Sequence, residues 1–289
     1  MYSEQAAYTL TSREEGITIP VPAPAPPCGC ECRRLVSLDY DGTLRAEGAP
    51  GVQAEFFDVM ERLRPHGVRW GVNTGRSLRK LAGELAGFRL QPDFICTCER
   101  YAYLADSGGR LRPARAHNAH CHAANLQLRE TILPAWHTLL HHLRRQRPGG
   151  AWEPAADDPL SIEAADSAEL DLLMPQLSEF ARQVPAVAIQ RAGRFMRLSD
   201  ARFTKGSALR HVQQAWHTPE EGLFLMGDGH NDLDAFRHFP RAFCAAPSTA
   251  HPDVLSWLQS HGGHISSAPG VVSALLHWSA RMGIQMPRE

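Results

Sequence analysis

One stretch, Leu35-Val36-Ser37-Leu38-Asp39-Tyr40-Asp41-Gly42-Thr43-Leu44, constrains the fold more than any other. It starts as a short apolar run of the kind a strand buried in a parallel sheet shows. It then breaks into two aspartates spaced by one residue, followed by Gly-Thr. Carboxylates at that spacing leave a strand end on the same side while the turn opens at Gly42. In an open α/β sheet, ligands bind outside the carboxyl ends of the strands. Two acids there can divide labour, one as ionised attacker and one as proton carrier. An Asx turn closing a strand uses the same residue types, so the reading depends on what the rest of the chain supplies.

At 289 residues the chain has room for one large or two ordinary domains. A hydrophobic content of 43% and a charged content of 21% describe a globular protein. The net charge of −1 gives no argument for nucleic acid or an anionic membrane surface as partner. No apolar run approaches the length of a membrane span, and the start has no basic segment followed by an apolar block, so no secretory signal is expected. The 7 cysteines are odd in number and unevenly spread, which fits a reducing cytoplasm better than a disulfide framework. Lys80 and Lys205 are the only lysines among 30 basic residues. In a chain that uses arginine almost everywhere, a lysine invites the question of whether an ammonium is needed.

Residues 1–33 read as a tail. Ile19 to Pro27 carries a proline at nearly every second position and suggests polyproline II. Cys28, Cys30 and Cys32 follow without a second cluster to complete a tetrahedral site. After Asp41, strands and helices alternate. Phe56, Val59, Met60 and Leu63 have helical spacing, with Gly67 placed to stop the helix. Val68–Val72 is a strand ending in Asn73-Thr74-Gly75-Arg76-Ser77. Leu78, Leu81 and Leu85 resume the helical period, and Pro92–Cys98 is another strand. This alternation predicts a parallel sheet with helices on its faces.

From Glu99 the rhythm changes to a hairpin, a long helix containing Pro134, a strand at Leu160–Glu163, a helix containing Pro175 and a closing hairpin around Gly193. Residues 99–199 therefore read as an inserted α+β domain, with 34–98 and 200–289 forming the α/β core. Arg115, His117, Asn118, His120 and His122 read as a polar loop before the long helix, and Arg191, Arg194 and Arg197 flank the closing hairpin. Clustered histidines and hairpin arginines of this kind are usually solvated, so none is taken as a site residue. The core pattern returns with a helix opening at Lys205 and with Leu223–Met226, the most apolar strand, which ends in Gly227-Asp228-Gly229-His230-Asn231-Asp232.

Four polar clusters thus sit at strand or helix ends. They supply Asp39 and Asp41; Thr74 with the Gly75 and Arg76 amides, placed to seat a phosphate at a helix start; Lys205; and Asp228 with Asp232. Hard oxygen donors from two strand ends suit Mg2+. Magnesium, a hydroxyl, backbone amides and an ammonium are what a phosphoryl group in transfer needs.

In that order, Asp39-Tyr40-Asp41-Gly42-Thr43, Asn73-Thr74-Gly75-Arg76, Lys205-Gly206 and Gly227–Asp232 resemble the four motifs of the haloacid dehalogenase superfamily. The resemblance covers Leu35 to Trp278. An α+β insert between the second and third motifs is similar to the Cof-type and sucrose-phosphatase branch, whose cap is termed class IIB. The resemblance implies a Rossmann-like core with a cap that closes over the site and reads the leaving group. It implies Asp39 as nucleophile and Asp41 as acid and base. Mg2+ would be held by the Asp39 side chain, the Asp41 carbonyl and Asp228. Thr74, Gly75 and Lys205 would grip the phosphoryl oxygens, Asn231 would support the phosphate side, and Asp232 would orient Lys205 or a metal-bound water. The chain departs from the pattern at Cys98-Glu99-Arg100-Tyr101, where relatives often have Glu-Asn-Gly, and at His230, where many have Glu.

The function this implies is a magnesium-dependent phosphatase for a small phosphorylated metabolite, such as a sugar phosphate, acting through an aspartyl-phosphate. The expected partner is the phosphate ester alone, without nucleic acid or membrane; the sequence is silent on oligomeric state. A phosphoryl transferase or mutase on the same scaffold is the alternative, and a non-catalytic binding protein a third. The filled positions Asp39, Asp41, Thr74, Lys205 and Asp228 speak against the last.

Overall fold

The computed structural model describes residues 33–284 apart from 47, 89, 156, 157, 268 and 269. The proline-rich tail and Cys28, Cys30 and Cys32 lie outside the described residues. In chain order the elements are β1 (Arg34–Leu38), α1 (Ala54–Leu63), β2 (Val68–Asn73), α2 (Leu78–Gly87), β3 (Phe94–Thr97), β4 (Tyr101–Ala105), β5 (Leu111–Pro113), α3 (Arg115–Gln146), β6 (Trp152–Pro154), β7 (Ser161–Ala164), α4 (Ser167–Gln183), β8 (Val187–Ala192), β9 (Phe195–Asp200), α5 (Lys205–Ala215), β10 (Leu223–Met226), α6 (His230–His238), β11 (Phe243–Pro247), α7 (Pro252–His261), β12 (His264–Ser266) and α8 (Val271–Arg281).

The chain divides into two compact units. One contains residues 33–114 and 205–284 of the described chain, the other Arg115–Thr204. The first unit is built on an eight-stranded sheet in the order β12-β11-β10-β1-β2-β3-β4-β5. From β12 to β3 every pair is parallel, while β4 and β5 add antiparallel. Chain order runs outward from the centre in both directions, so β1 and β10 are the neighbours where it reverses, the point at which such sheets open a crevice for ligands. The register Leu38↔Met226 brings Asp39 and Gly227, the next residues of the two strands, side by side. The Asp39 amide donates to the Met226 carbonyl at 2.8 Å.

Both faces of this sheet are covered, which is why β1 and β10 read as continuous apolar runs. Phe56, Val59, Met60 and Leu63 of α1 pack with Leu275 and Trp278 of α8 on one face. Leu209 and Val212 of α5, Phe236 of α6 and Leu258 of α7 pack on the other. Gly67, at φ 73°, caps the turn that follows α1, as its position suggested.

The second unit has a four-stranded antiparallel sheet, β6-β7-β9-β8, with α3 and α4. Trp136, Leu143, Leu170, Leu173, Leu177 and Met196 form its core.

Two expectations differ from what is seen. The hairpin from Tyr101 to Pro113, read as the start of the insert, extends the large sheet by pairing on β3, so the compact insert is Arg115–Thr204 rather than 99–199. Alternation identifies a strand but not the sheet it joins. Arg115, His117, Asn118, His120 and His122 are not a loop; they form the first turns of α3, which continues through Pro134 to Gln146.

Candidate active site

Each chemistry-bearing residue of the first unit sits where a core strand ends or a helix begins. Lys205 is the first residue of α5 and is 2% exposed. Its Nζ donates to Asp39 Oδ1 at 2.6 Å and lies 2.6 Å from Asp232 Oδ1. A buried ammonium needs such partners, because an isolated one would cost several kcal/mol, of the order found for buried ions. Burial pulls the Lys205 ammonium toward neutrality, but the Asp232 and Asp39 carboxylates outweigh it and hold the proton firmly. Asp232 is fixed from its other side by the Gly229 amide, which donates to Oδ2 at 2.9 Å. A Cβ on Gly227 would lie 2.0 Å from the Asp232 carboxyl carbon, so only glycine allows this approach.

Asp228 completes the cluster. Thr43 Oγ1 donates to its Oδ1 at 3.0 Å, which ties the end of the Asp39 loop to the Asp228 loop. Gly42 has φ +74°, and a Cβ there would lie 2.3 Å from Asp228 Oδ2. Its place in the Asp-Gly-Thr turn is therefore set by both backbone conformation and space. Carboxylate oxygens of Asp39, Asp228 and Asp232 lie within 4.8 Å of one another. Three carboxylates thus gather where there is one ammonium, which pairs with Asp39 and Asp232. Asp39 is pushed well above the usual carboxylate range by burial, against the pull of Lys205 and with Asp232 and Asp228 adding to the rise. Asp228 is pushed up to about 6 by burial and by Asp232. The donor set is all oxygen, anionic and in excess over its internal cation, which is the chemistry that favours a hard divalent ion.

The second motif forms a loop, not a helix start. Helix α2 begins at Leu78 with Ser77 as its cap. Thr74 is buried, its amide donates to Cys96 O at 2.9 Å, and its hydroxyl accepts from the Arg76 amide at 3.2 Å. That hydrogen bond occupies the Arg76 amide, which the sequence had suggested as a phosphate donor. Asn73 Nδ2 donates to Lys205 O at 3.1 Å and joins the end of β2 to the start of α5.

Asp41 is not part of the cluster. Its side chain is half-exposed and makes two hydrogen bonds with Arg76, Nε to Oδ2 at 2.6 Å and Nη2 to Oδ1 at 2.7 Å. Arg76 also binds Glu84, which accepts from Tyr40 at 2.6 Å and from Arg45 at 3.1 Å. The Arg76–Glu84–Tyr40 group was not anticipated.

Neither was Glu99. It is 2% exposed at φ 61°, following Cys98 at φ 50°. Two successive non-glycine residues in this region mark stored backbone strain. The turn aims the Glu99 carboxylate at Asn231, whose Nδ2 donates to Oε1 at 2.6 Å. The same oxygen would lie 3.2 Å from a Cβ on Gly75. Glu99 therefore links the Thr74–Gly75 loop to the Asp228–Asp232 loop, and the Asn231 amide expected at a phosphate is engaged by it. The departure at 98–101 was visible in the sequence, but a contact to a residue 132 positions away was not.

The sucrose-6F-phosphate phosphohydrolase family profile matches residues 161–279. No curated protein matches the chain at a significant level. Among solved structures, the sucrose-phosphatase of Synechocystis sp. PCC6803, in complex with sucrose and phosphate, superposes with a TM-score of 0.62 at 20% identity over 87% of this chain and 98% of that one. The haloacid dehalogenase subclass IIB sugar phosphatase BT4131 gives 0.56 at 14% identity over 87% and 100%. A haloacid dehalogenase-like hydrolase from B. subtilis gives 0.57 at 16% identity over 84% and 99%. The chain thus has the fold of haloacid dehalogenase-type phosphatases, and the sucrose-6F-phosphate phosphohydrolase profile agrees with it over residues 161–279. Among the structures it is similar to is a subclass IIB sugar phosphatase, and the profile match runs from β7 to α8.

Proposed function

We propose that the protein is a magnesium-dependent phosphatase for a small sugar phosphate or similar polyol phosphate, working through an aspartyl-phosphate on Asp39. The observation that carries this reading is the buried Asp39–Lys205–Asp232 group beside Asp228, at the switch point of the sheet. It presents a carboxylate nucleophile and an ammonium to the same small volume.

In the proposed reaction an Asp39 carboxylate oxygen bonds to phosphorus as the ester P–O bond breaks. Asp41 supplies the proton that the leaving alkoxide takes up. Water then attacks phosphorus, gives its proton to Asp41 and releases inorganic phosphate from Asp39. Lys205 and Thr74 bind the phosphoryl oxygens where negative charge builds up. For Asp41 to reach the leaving group it must exchange its pair with Arg76 for the substrate, so Arg76 holds the acid aside in this structure. Glu99 positions Asn231 and, through the packing at Gly75, the Thr74 loop. Asp39, the Asp41 carbonyl and Asp228 would hold Mg2+, whose contribution is to neutralise charge between the nucleophile and the phosphate. The excess of carboxylates over cations described above fits that assignment. Substrate selection is assigned to the Arg115–Thr204 unit.

Phosphate release from sugar phosphates, polyol phosphates and nucleotides, with and without Mg2+, tests this reading. Steady Mg2+-dependent release from the first two groups is expected. Release that needs a bisphosphate activator would favour a mutase.

A further inference from the structure

A second group of metal-ligating side chains lies in the first unit, outside the carboxylate cluster. His230 opens α6, His251 caps α7, and Asp253 is in the first turn of α7. The two imidazole rings are 3.8 Å apart between centroids, tilted by 47°. His230 Nε2 is 2.8 Å from Asp253 Oδ2, and His251 Nδ1 is 3.8 Å from the same oxygen. One ring nitrogen of each histidine and one carboxylate oxygen fall within 4.8 Å of one another.

Two neighbouring imidazoles and a carboxylate are poor ligands for Mg2+, which asks for oxygen and water. They suit zinc-type ions, which take nitrogen and oxygen at about 2.0–2.2 Å in a tetrahedron with ligand atoms roughly 3.3 Å apart. The observed spread, from 2.8 Å to at most 4.8 Å, brackets that value, and all three side chains are partly exposed, with Asp253 the most open at 64%. The Asp253 amide donates to His251 Nδ1 at 3.2 Å, a long bond that is readily exchanged. The three residues come from two segments that already meet at the catalytic loop: the His251 amide donates to the Asp228 carbonyl at 2.9 Å, and His230 follows Asp228 by two residues.

We infer that His230, His251 and Asp253 form a binding site for a zinc-class divalent cation, with a water in the fourth position, tying the loop that carries Asp228 to the start of α7. The site is separate from the all-carboxylate cluster and does not depend on the phosphatase reading. Its ligand class differs from that of Mg2+, so the two ions do not compete for it.

The test uses the full chain, reduced, in excess Mg2+. Titration with Ni2+ or Zn2+ is followed by calorimetry on the wild type, His230→Gln and Asp253→Asn. The cysteine-rich tail contributes equally to all three proteins, so the difference between them reads this site. The expected result is one more equivalent bound by the wild type than by His230→Gln, or at least about a tenfold loss of affinity for that equivalent. That bound is conservative, because losing a group that merely supports a ligand already costs about 10–100-fold. Asp253→Asn, at an exposed position, should show the same loss. Equal stoichiometry and affinity in all three proteins, or displacement of the ion by Mg2+, would overturn the inference.

Discussion

The carboxylate cluster of the first unit and the hairpin of the second both bury charge, and they do so on opposite terms. In the Arg115–Thr204 unit each arginine of the closing hairpin meets an acid. The buried Arg197 donates to Asp158 at 2.7 Å and the buried Arg191 to the exposed Asp171 at 2.6 Å, while Arg194 lies 2.8 Å from Glu163 at the surface. Those charges balance locally, so the arrangement stabilises the unit and asks for no ligand. At the ends of β1 and β10, two carboxylates pair with Lys205 and a third, Asp228, lies beside them. That imbalance costs stability in the free protein and is relieved by protonation of a carboxylate or by a bound cation. Among buried charges, an unbalanced set points to function and a balanced one to structure.

The sharpest way to break the comparison is Asp39→Asn. It keeps the shape and removes the proposed nucleophile, and kcat/KM should fall by about 10^4-fold or more, in the range seen when a hydrolase loses its nucleophile. Next is Lys205→Met, which removes the cation from the phosphoryl oxygens. A loss of roughly 10^2–10^3-fold in kcat is expected, comparable to losing one oxyanion donor. Arg197→Met tests the balanced region. It should destabilise the protein by about 2–4 kcal/mol, since it takes the charged partner from the largely buried Asp158 carboxylate, while kcat of the folded fraction stays the same. A large kcat effect there would show that the hairpin charges are not purely structural.

Asp228→Asn sharpens the contrast in a different way. Without Mg2+ it should raise stability by roughly 1–3 kcal/mol, because it relieves a carboxylate that burial and Asp232 hold up at about 6. Added Mg2+ should stabilise the wild type and leave this variant unmoved, as thermal melts with and without the ion would show. The smallest effect is a pH dependence at the edge of the sheet. His264 and His277 stack at 4.5 Å, and burial together with His277 lowers the His264 pKa below its usual value. The folded state then binds its proton less readily than the unfolded chain. This contribution to stability is full above pH ~6.5 and is lost as pH falls through the lowered folded value. His264→Phe should flatten that part of the stability–pH curve, by less than about 1 kcal/mol.

The strand ends were legible because buried parallel strands are apolar throughout, so a polar cluster interrupting them is conspicuous. Asp39, Thr74, Asp228 and Asp232 were singled out in that way, and Lys205 as one of two lysines in an arginine-rich chain. Partnerships were not legible. Asp41 was read as a proton carrier on the same side as Asp39, yet its side chain pairs with Arg76 outside the cluster. Glu99 gained its place from two left-handed residues that carry no glycine to announce them. The hairpin Tyr101–Pro113 was identified as strands but given to the wrong unit, since local alternation does not say which edge it joins. β6 and β12, three residues each, are too short to show a period.

The most direct measurement of the central claim is chemical trapping of the intermediate. Enzyme turning over a sugar phosphate that it hydrolyses, with Mg2+ present, is quenched and treated with borohydride, which reduces an acyl phosphate to an alcohol. Peptide mass spectrometry is then read at Asp39 and Asp41. The account predicts conversion of Asp39 to homoserine, dependent on substrate and Mg2+, with Asp41 unchanged. Steady phosphate release with Asp39 unmodified, or with Asp41 modified in its place, would contradict it.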